Sequence, residues 1–181
     1  MNKIIGIVNC NKDNKIPNDL IQVLSHLDFN SFLISIDQDN YVETIKNSGI
    51  KYWIFTGSEL NPKKTPQSIN LSELKKLDKS FKFLMICYSM QKILIQLGLE
   101  PLKKKLEKKE LEIPNDKKEI TVSLKNEYYF ENPDKKVKNL DIISTKDNVL
   151  MTAEYNGNIL LTQWHPERTD DGIKFLKKWF K

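Results

Sequence analysis

Residues Phe81–Gln91 read FKFLMICYSMQ. Phe81–Ile86 is a compact apolar run of strand length, and beyond it the period changes. From Ser89 to Leu97 the apolar residues Met90, Ile93, Leu94 and Leu97 recur at helical spacing, and Gly98 closes the segment as a C-terminal cap. A buried-type strand therefore feeds directly into a helix, and Cys87 stands at the junction. A free cysteine is often only a small core hydrophobe, so its meaning depends on what surrounds that junction.

The same alternation extends toward the N-terminus. Ile4–Val8 (IIGIV), Ser31–Ile36 (SFLISI) and Lys51–Phe55 (KYWIF) read as strands. Pro17–Leu27, Tyr41–Asn47 and Leu71–Leu77 read as helices, with Pro17 near a helix start, Gly49 in a C-cap position and Asn70 or Ser72 as an N-cap. Strands and helices alternating at such short intervals imply right-handed crossovers and a mostly parallel sheet covered on both faces. Ligands in such sheets bind beyond the carboxyl ends of the strands, where Cys87 is expected to lie.

The second half changes character. LKKKLEKKELEI, from Leu102, is a dense charge run, and its Leu102–Lys109 part reads as a solvated face. Glu119–Leu124, Asp141–Ser144, Val149–Glu154 and Asn158–Gln163 read as short strands, with turns at Asn115-Asp116 and Asn156-Gly157. They predict either a hairpin layer or an extension of the sheet. Asp170–Phe180 is an amphipathic helix offering Ile173, Phe175, Leu176 and Trp179 for burial.

Bulk properties narrow the function classes. A chain of 181 residues fits one domain able to bury a core without metal or disulfide staples. Its lysines are dispersed among acidic residues, so the net charge of +5 reads as a Lys-rich solvated surface, with no nucleic-acid partner expected. No apolar run is long enough to span a bilayer, and the N-terminal segment lacks a signal-peptide core, so a cytoplasmic location without membrane association is expected. Cys10 and Cys87 form no CxxC pair, which excludes a zinc ribbon or disulfide framework. Cys10 reads as inert, and Trp53 and Trp164 as core or cleft-wall aromatics.

A thiol attacks only as thiolate, and a helix N-terminus with a neighbouring histidine favours that form. His26 lies within a predicted helix and reads as structural. His165 lies in NILLTQWHPER (Asn158–Arg168), where an apolar strand ends at Gln163. Pro166 fixes the backbone after the imidazole, and Glu167 can accept from one ring nitrogen so that the other faces a thiol. Nucleophile, base and orienter are thus all available.

ICYSMQ followed later by QWHPE resembles the class I, or triad, glutamine amidotransferases, whose cysteine turn is usually GxCxGxQ and whose His-Pro-Glu segment lies near the C-terminus. The resemblance runs over residues 1 to 181 and implies one domain of flavodoxin-like α/β architecture, a three-layer sandwich with a small additional β element. Within the family the chain looks most like the glutaminase subunit of a two-subunit GMP synthase. The resemblance further implies that Cys87 attacks the side-chain amide of glutamine to form a thioester, that His165 passes a proton to the departing ammonia, and that Glu167 orients His165. It assigns the oxyanion hole to the backbone N–H groups of Gly57 and Tyr88, a substrate contact to Gln91, no metal or other cofactor, and a separate ammonia-using synthase as partner.

The chain departs from the family pattern at three places. Met85 and Ser89 stand where the turn usually has glycine, and the oxyanion loop keeps one glycine, Gly57, between Thr56 and Ser58. Around Asp141–Asn148, Ile143-Ser144-Thr145-Lys146 stands where coupled members often carry Ser-His. Two further readings follow: a free-standing γ-glutamyl hydrolase acting on another γ-glutamyl amide, and a binding module that keeps the triad without a competent turn.

Overall fold

The computed structural model describes residues 3–66, 69–115, 118–133 and 136–181, and within them all side chains except those at 14, 104–107 and 109. Its strands are β1 (Ile4–Asn9), β2 (Asn30–Ser35), β3 (Tyr52–Phe55), β4 (Lys82–Ile86), β5 (Leu102–Asn115), β6 (Lys118–Tyr129), β7 (Leu140–Lys146), β8 (Val149–Tyr155) and β9 (Ile159–Thr162). The helices are α1 (Asn18–His26), α2 (Tyr41–Asn47), α3 (Leu71–Leu74), α4 (Tyr88–Gln96) and α5 (Asp170–Trp179), with 3-10 turns at Lys12–Asn14 and Pro166–Arg168.

Among the described residues, seven strands form one sheet in the order β2-β1-β3-β4-β9-β8-β7. The first five run parallel, while β8 pairs antiparallel with β9 and β7 antiparallel with β8. This is the mostly parallel α/β sheet expected from the alternation, and the last strands extend it. β5 and β6 form a separate antiparallel ribbon.

The central strands are buried on both faces, which explains their unbroken apolar sequences. Trp53, Phe55, Phe83 and Met85 point into the larger core beneath α2, α3 and α4, and the alternate residues Ile54, Leu84 and Ile86 join Leu20, Leu24, Leu176 and Phe180 under α1 and α5. Gly6 in β1 lets this packing close up, since a Cβ there would lie 2.3 Å from the Trp53 ring. His26 is exposed, with Nδ1 2.8 Å from Gln22 O, and Trp53 and Trp164 are fully buried.

The charge run is a strand of 14 residues, not merely a solvated stretch. Its many charges hid the period-two pattern, and strand character comes from pairing with β6. The solvated face expected for Leu102–Lys109 and the turn at Asn115-Asp116 fall largely outside the described side chains and residues. The ribbon is anchored at its other end, where Ile113, Val122 and Leu124 pack on Met151 and Trp164. Trp164 also donates from Nε1 to Thr152 Oγ1 at 3.0 Å and meets Phe175 edge-on at 5.0 Å. Residue 165 therefore follows a side chain fixed on three sides. Among the described residues, no helix is long and apolar enough to cross a membrane.

Candidate active site

Cys87 joins β4 to α4 with φ 49° and ψ −102°, a conformation that a side-chain-bearing residue adopts only when its surroundings hold it there. Both of its peptide groups are committed. Its N–H donates to Thr162 O at 2.7 Å, extending the β4–β9 ladder, and its carbonyl accepts from Gln91 N–H at 3.0 Å in the first helical turn. The thiol is thereby thrown off the end of the sheet at the α4 N-terminus.

The two residues that depart from glycine around this turn are accommodated differently. Met85 is fully buried in the larger core, on the face opposite to that of Ile86 and in the cluster that holds Tyr88 and Met90 of α4. Ser89 is also fully buried, and its Oγ lies 2.9 Å from Phe55 O and 3.0 Å from Ile86 O, two carbonyls at strand ends. A hydroxyl donor occupies the space that a glycine would leave empty.

His165 lies three residues beyond the end of β9, and its N–H donates to Ser123 O on β6 at 3.0 Å. The turn begun by Pro166 swings Glu167 back so that Oε1 lies 2.7 Å from His165 Nδ1. That contact assigns the proton to Nδ1 and turns Nε2 away from Glu167, and the imidazole is near enough to the Cys87 thiol for each to act on the other's charge. Gly57 completes the junction: a Cβ there would lie 2.8 Å from His165 Cε1, 3.6 Å from Nε2 and 3.5 Å from Cys87 Cβ. Four residues from three distant parts of the sequence thus meet at the carboxyl ends of β3, β4 and β9.

The electrostatics follow from burial and pairing. Burial alone pulls the His165 imidazole down, but the Glu167 carboxylate and its hydrogen bond, with Cys87 close by, outweigh it and hold the group up at about 9. For Glu167 burial pushes upward, and the attraction and hydrogen bond of His165 overcome it, so the carboxyl stays below its ordinary range. Cys10 behaves oppositely. It is fully buried, and desolvation pushes its thiol up to about 12, consistent with an inert core residue.

Residues 10–180 match the family model described as glutamine amidotransferase class-I. The chain belongs to the class-I glutamine amidotransferase family. Its fold is shared with solved structures at low identity. A candidate GMP synthase subunit from Thermoplasma acidophilum aligns with a TM-score of 0.75 at 18% identity, covering 99% of this chain and 92% of the other. PurLQS from Thermotoga maritima aligns at 0.67 and 15% identity over 100% of both chains. A glutamine amidotransferase from the same organism aligns at 0.65 and 11% identity, covering 99% of this chain and 83% of that one. A comparison with curated proteins gave no significant match.

In this amidotransferase domain the thiol opens on a cavity of about 780 Å³. One wall is the loop from Thr56 to Leu60, another is the segment from Asn11 to Leu20, and a third is Lys125–Tyr128 of β6. Tyr88 is the first residue of α4, where amides have no acceptor within the helix. Gln91 lines the cavity, but its Nε2 donates to Tyr128 O at 2.7 Å and lies 3.4 Å from Gln163 Oε1.

The sequence reading missed Gln163 and the β6 wall. Gln163 is two residues before His165 in the very stretch that named the histidine, but alternation alone marks it as a strand end. The Asp141–Asn148 region, whose Ile143-Ser144-Thr145-Lys146 stands in place of the expected Ser-His, lies on the edge strand β7 and the turn after it, and none of it lines the cavity. Lys125 and its neighbours on β6 occupy the flank of the thiol instead, with Lys125 O 4.0 Å from Cys87 Sγ.

Proposed function

We propose that residues 1–181 act as one amidotransferase domain that hydrolyses the side-chain amide of glutamine through a thioester on Cys87. The observation that carries this reading is the Glu167–His165 bond together with Gly57, beside which both the imidazole and Cys87 stand. With its proton passed to His165 Nε2, Sγ adds to the amide carbon, and the carbonyl oxygen develops negative charge. The backbone N–H groups of Gly57 and Tyr88 are the donors assigned to that oxygen, each contributing about 3 kcal/mol in comparable sites.

Collapse of the adduct breaks the C–N bond, and His165 delivers its proton to the leaving nitrogen, which departs as ammonia. The imidazole, now neutral, takes a proton from water as the water oxygen attacks the thioester carbonyl. Glu167 holds the ring in position and stabilises its charged form throughout. The ammonia passes to a separate synthase, a reading supported by fold neighbours described as PurLQS and as part of a GMP synthase. Two free thiols fit a reducing compartment such as the cytoplasm.

The cavity supports a second reading. At about 780 Å³ it falls in the range that holds drug-sized ligands, and it leaves room for γ-glutamyl amides with an amine larger than ammonia. Incubation of the isolated chain with glutamine and a panel of γ-glutamyl amides, following amine release, separates the two. Turnover of glutamine that rises when a synthase is added supports the synthase-coupled role. Unaided turnover of the larger amides supports the hydrolase, and no release from any of them, with or without a synthase, removes both.

A further inference from the structure

The sulfur has a neighbour to which neither reading gives a role. Gln163 is fully buried, and its side-chain Nε2 lies 3.8 Å from Cys87 Sγ, within hydrogen-bond reach for sulfur. Its Oε1 in turn lies 3.4 Å from Gln91 Nε2, which is held on Tyr128 O at 2.7 Å. Those two bonds settle the orientation of the Gln163 amide, because Gln91 presents a donor to it and so requires the oxygen on that side. The N–H of Gln163 is thereby left facing the thiol. Its main chain is fixed as well, with the N–H donating to Met151 O at 2.9 Å.

A buried neutral donor gains most where its acceptor carries charge. On the reaction path the sulfur carries charge twice, before it attacks the amide and when it is expelled from the thioester. We propose that Gln163 is a catalytic residue that donates from Nε2 to Cys87 Sγ and stabilises the sulfur as it leaves, with Gln91 as the positioning residue that aims it. This rests on the reading of Cys87 as nucleophile. In the expulsion step water oxygen bonds to the carbonyl carbon, the C–S bond breaks, and its electron pair goes to sulfur beside the Gln163 N–H. One water proton moves to His165 and then to sulfur, and the other is lost from the new carboxyl group to solvent.

The test compares wild type with Gln163→Leu, Gln163→Glu and Gln91→Leu. Two measurements are made on folded protein at neutral pH: the rate of Cys87 alkylation by iodoacetamide, and the steady-state fraction of γ-glutamyl enzyme seen by intact mass after acid quench of glutamine turnover. Gln163→Leu is expected to slow alkylation and kcat by about tenfold with KM little changed, and to raise the acylated fraction. Gln163→Glu keeps the volume and the acceptor for Gln91 but puts a carboxylate against sulfur, so it should be slower still. Gln91→Leu should move both readouts the same way, less strongly.

A packing role predicts the opposite order, with the isosteric Glu variant closer to wild type than Leu, and that order overturns the proposal. So does alkylation at the wild-type rate in both Gln163 variants. Should Gln163→Leu not fold, the Glu and Gln91 variants carry the comparison. If wild type releases no amine from any γ-glutamyl amide, the amide-hydrolase reading falls, while the alkylation order still decides whether Gln163 acts on the sulfur.

Discussion

His165 Nδ1 and Glu167 Oε1 are 2.7 Å apart, and both side chains are about nine-tenths buried. A buried pair of this kind makes each charge depend on the other, because neither has water to fall back on. Removing one partner therefore costs more than the pair itself contributes. Glu167→Gln keeps the shape and an acceptor oxygen but loses the charge that overcomes burial at His165. The imidazole should fall from about 9 toward or below its ordinary 6.5, and amine release at neutral pH should drop by about a hundredfold or more. A nuclear magnetic resonance titration of His165 checks the first outcome, and an ammonia assay the second.

The same pair predicts a pH dependence of stability. The His165 pKa is raised in the folded state, so the stabilisation it brings is complete below about 6.5 and is lost as pH climbs through about 9. Glu167 is held low, so its share is present above the ordinary carboxylate range and is lost only on acidification. Urea unfolding should therefore show stability declining from pH 6.5 to 9 by about 2 kcal/mol, given the coupling of the pair. In Glu167→Gln that alkaline decline should flatten. An equal slope in both proteins would place its origin in other groups.

Met85 bears on whether the turn is crowded. Its side chain is fully buried in the larger core with Tyr88 and Met90, so it packs under the helix that follows Cys87. Met85→Gly should therefore not raise turnover. It should remove a packed side chain and add backbone freedom to a central strand, costing about 3 to 5 kcal/mol. Thermal unfolding together with the amine-release assay decides the matter, and a gain in turnover would show that the methionine does press on the turn.

Ser89 leads to a similar outcome by another route. Its hydroxyl sits within 3.0 Å of both Phe55 O and Ile86 O in a site closed to solvent. Ser89→Ala should cost about 1 to 2 kcal/mol by leaving buried carbonyls short of a donor, and Ser89→Gly should cost more, since glycine also loosens α4. Restoring the family's usual residue is thus expected to harm this chain, as chemical denaturation of the two variants will show.

What was legible in the sequence follows from which signals are local. The parallel sheet could be read because β1, β3, β4 and β9 carry apolar runs that two-sided burial explains, and Pro17 and Gly98 mark the start of α1 and the end of α4 between them. Cys87, His165 and Glu167 could be nominated as a candidate site because Cys87 directly follows one such run and the other two stand shortly past another. β5 could not, because Lys and Glu dominate it and its strand character depends on a partner further along the chain. The β6 wall and Gln163 were invisible for the same reason: their importance lies in what they face across space, and nothing in their own spacing announces it. Met85 and Ser89 were legible as departures, whereas the directions of their side chains required the turn itself.

Gly57 makes the most demanding test of the assembled site. Its lack of a side chain lets the loop after β3 approach the imidazole, and a Cβ would stand 2.8 Å from Cε1, closer than real contacts allow. The ring cannot yield easily. It is held at Nδ1 by Glu167, and the backbone N–H of its own residue is tied to Ser123 O. Gly57→Ala must then push either the loop or the ring out of place, and in both cases a reacting group moves by a few tenths of an ångström or more from the thiol. Catalysis tolerates such shifts poorly while folding tolerates them well. The expected result is a loss of amine release of about a hundredfold with a change in unfolding free energy of no more than about 1 kcal/mol. Wild-type turnover in Gly57→Ala would mean that the loop need not close on His165 during the reaction.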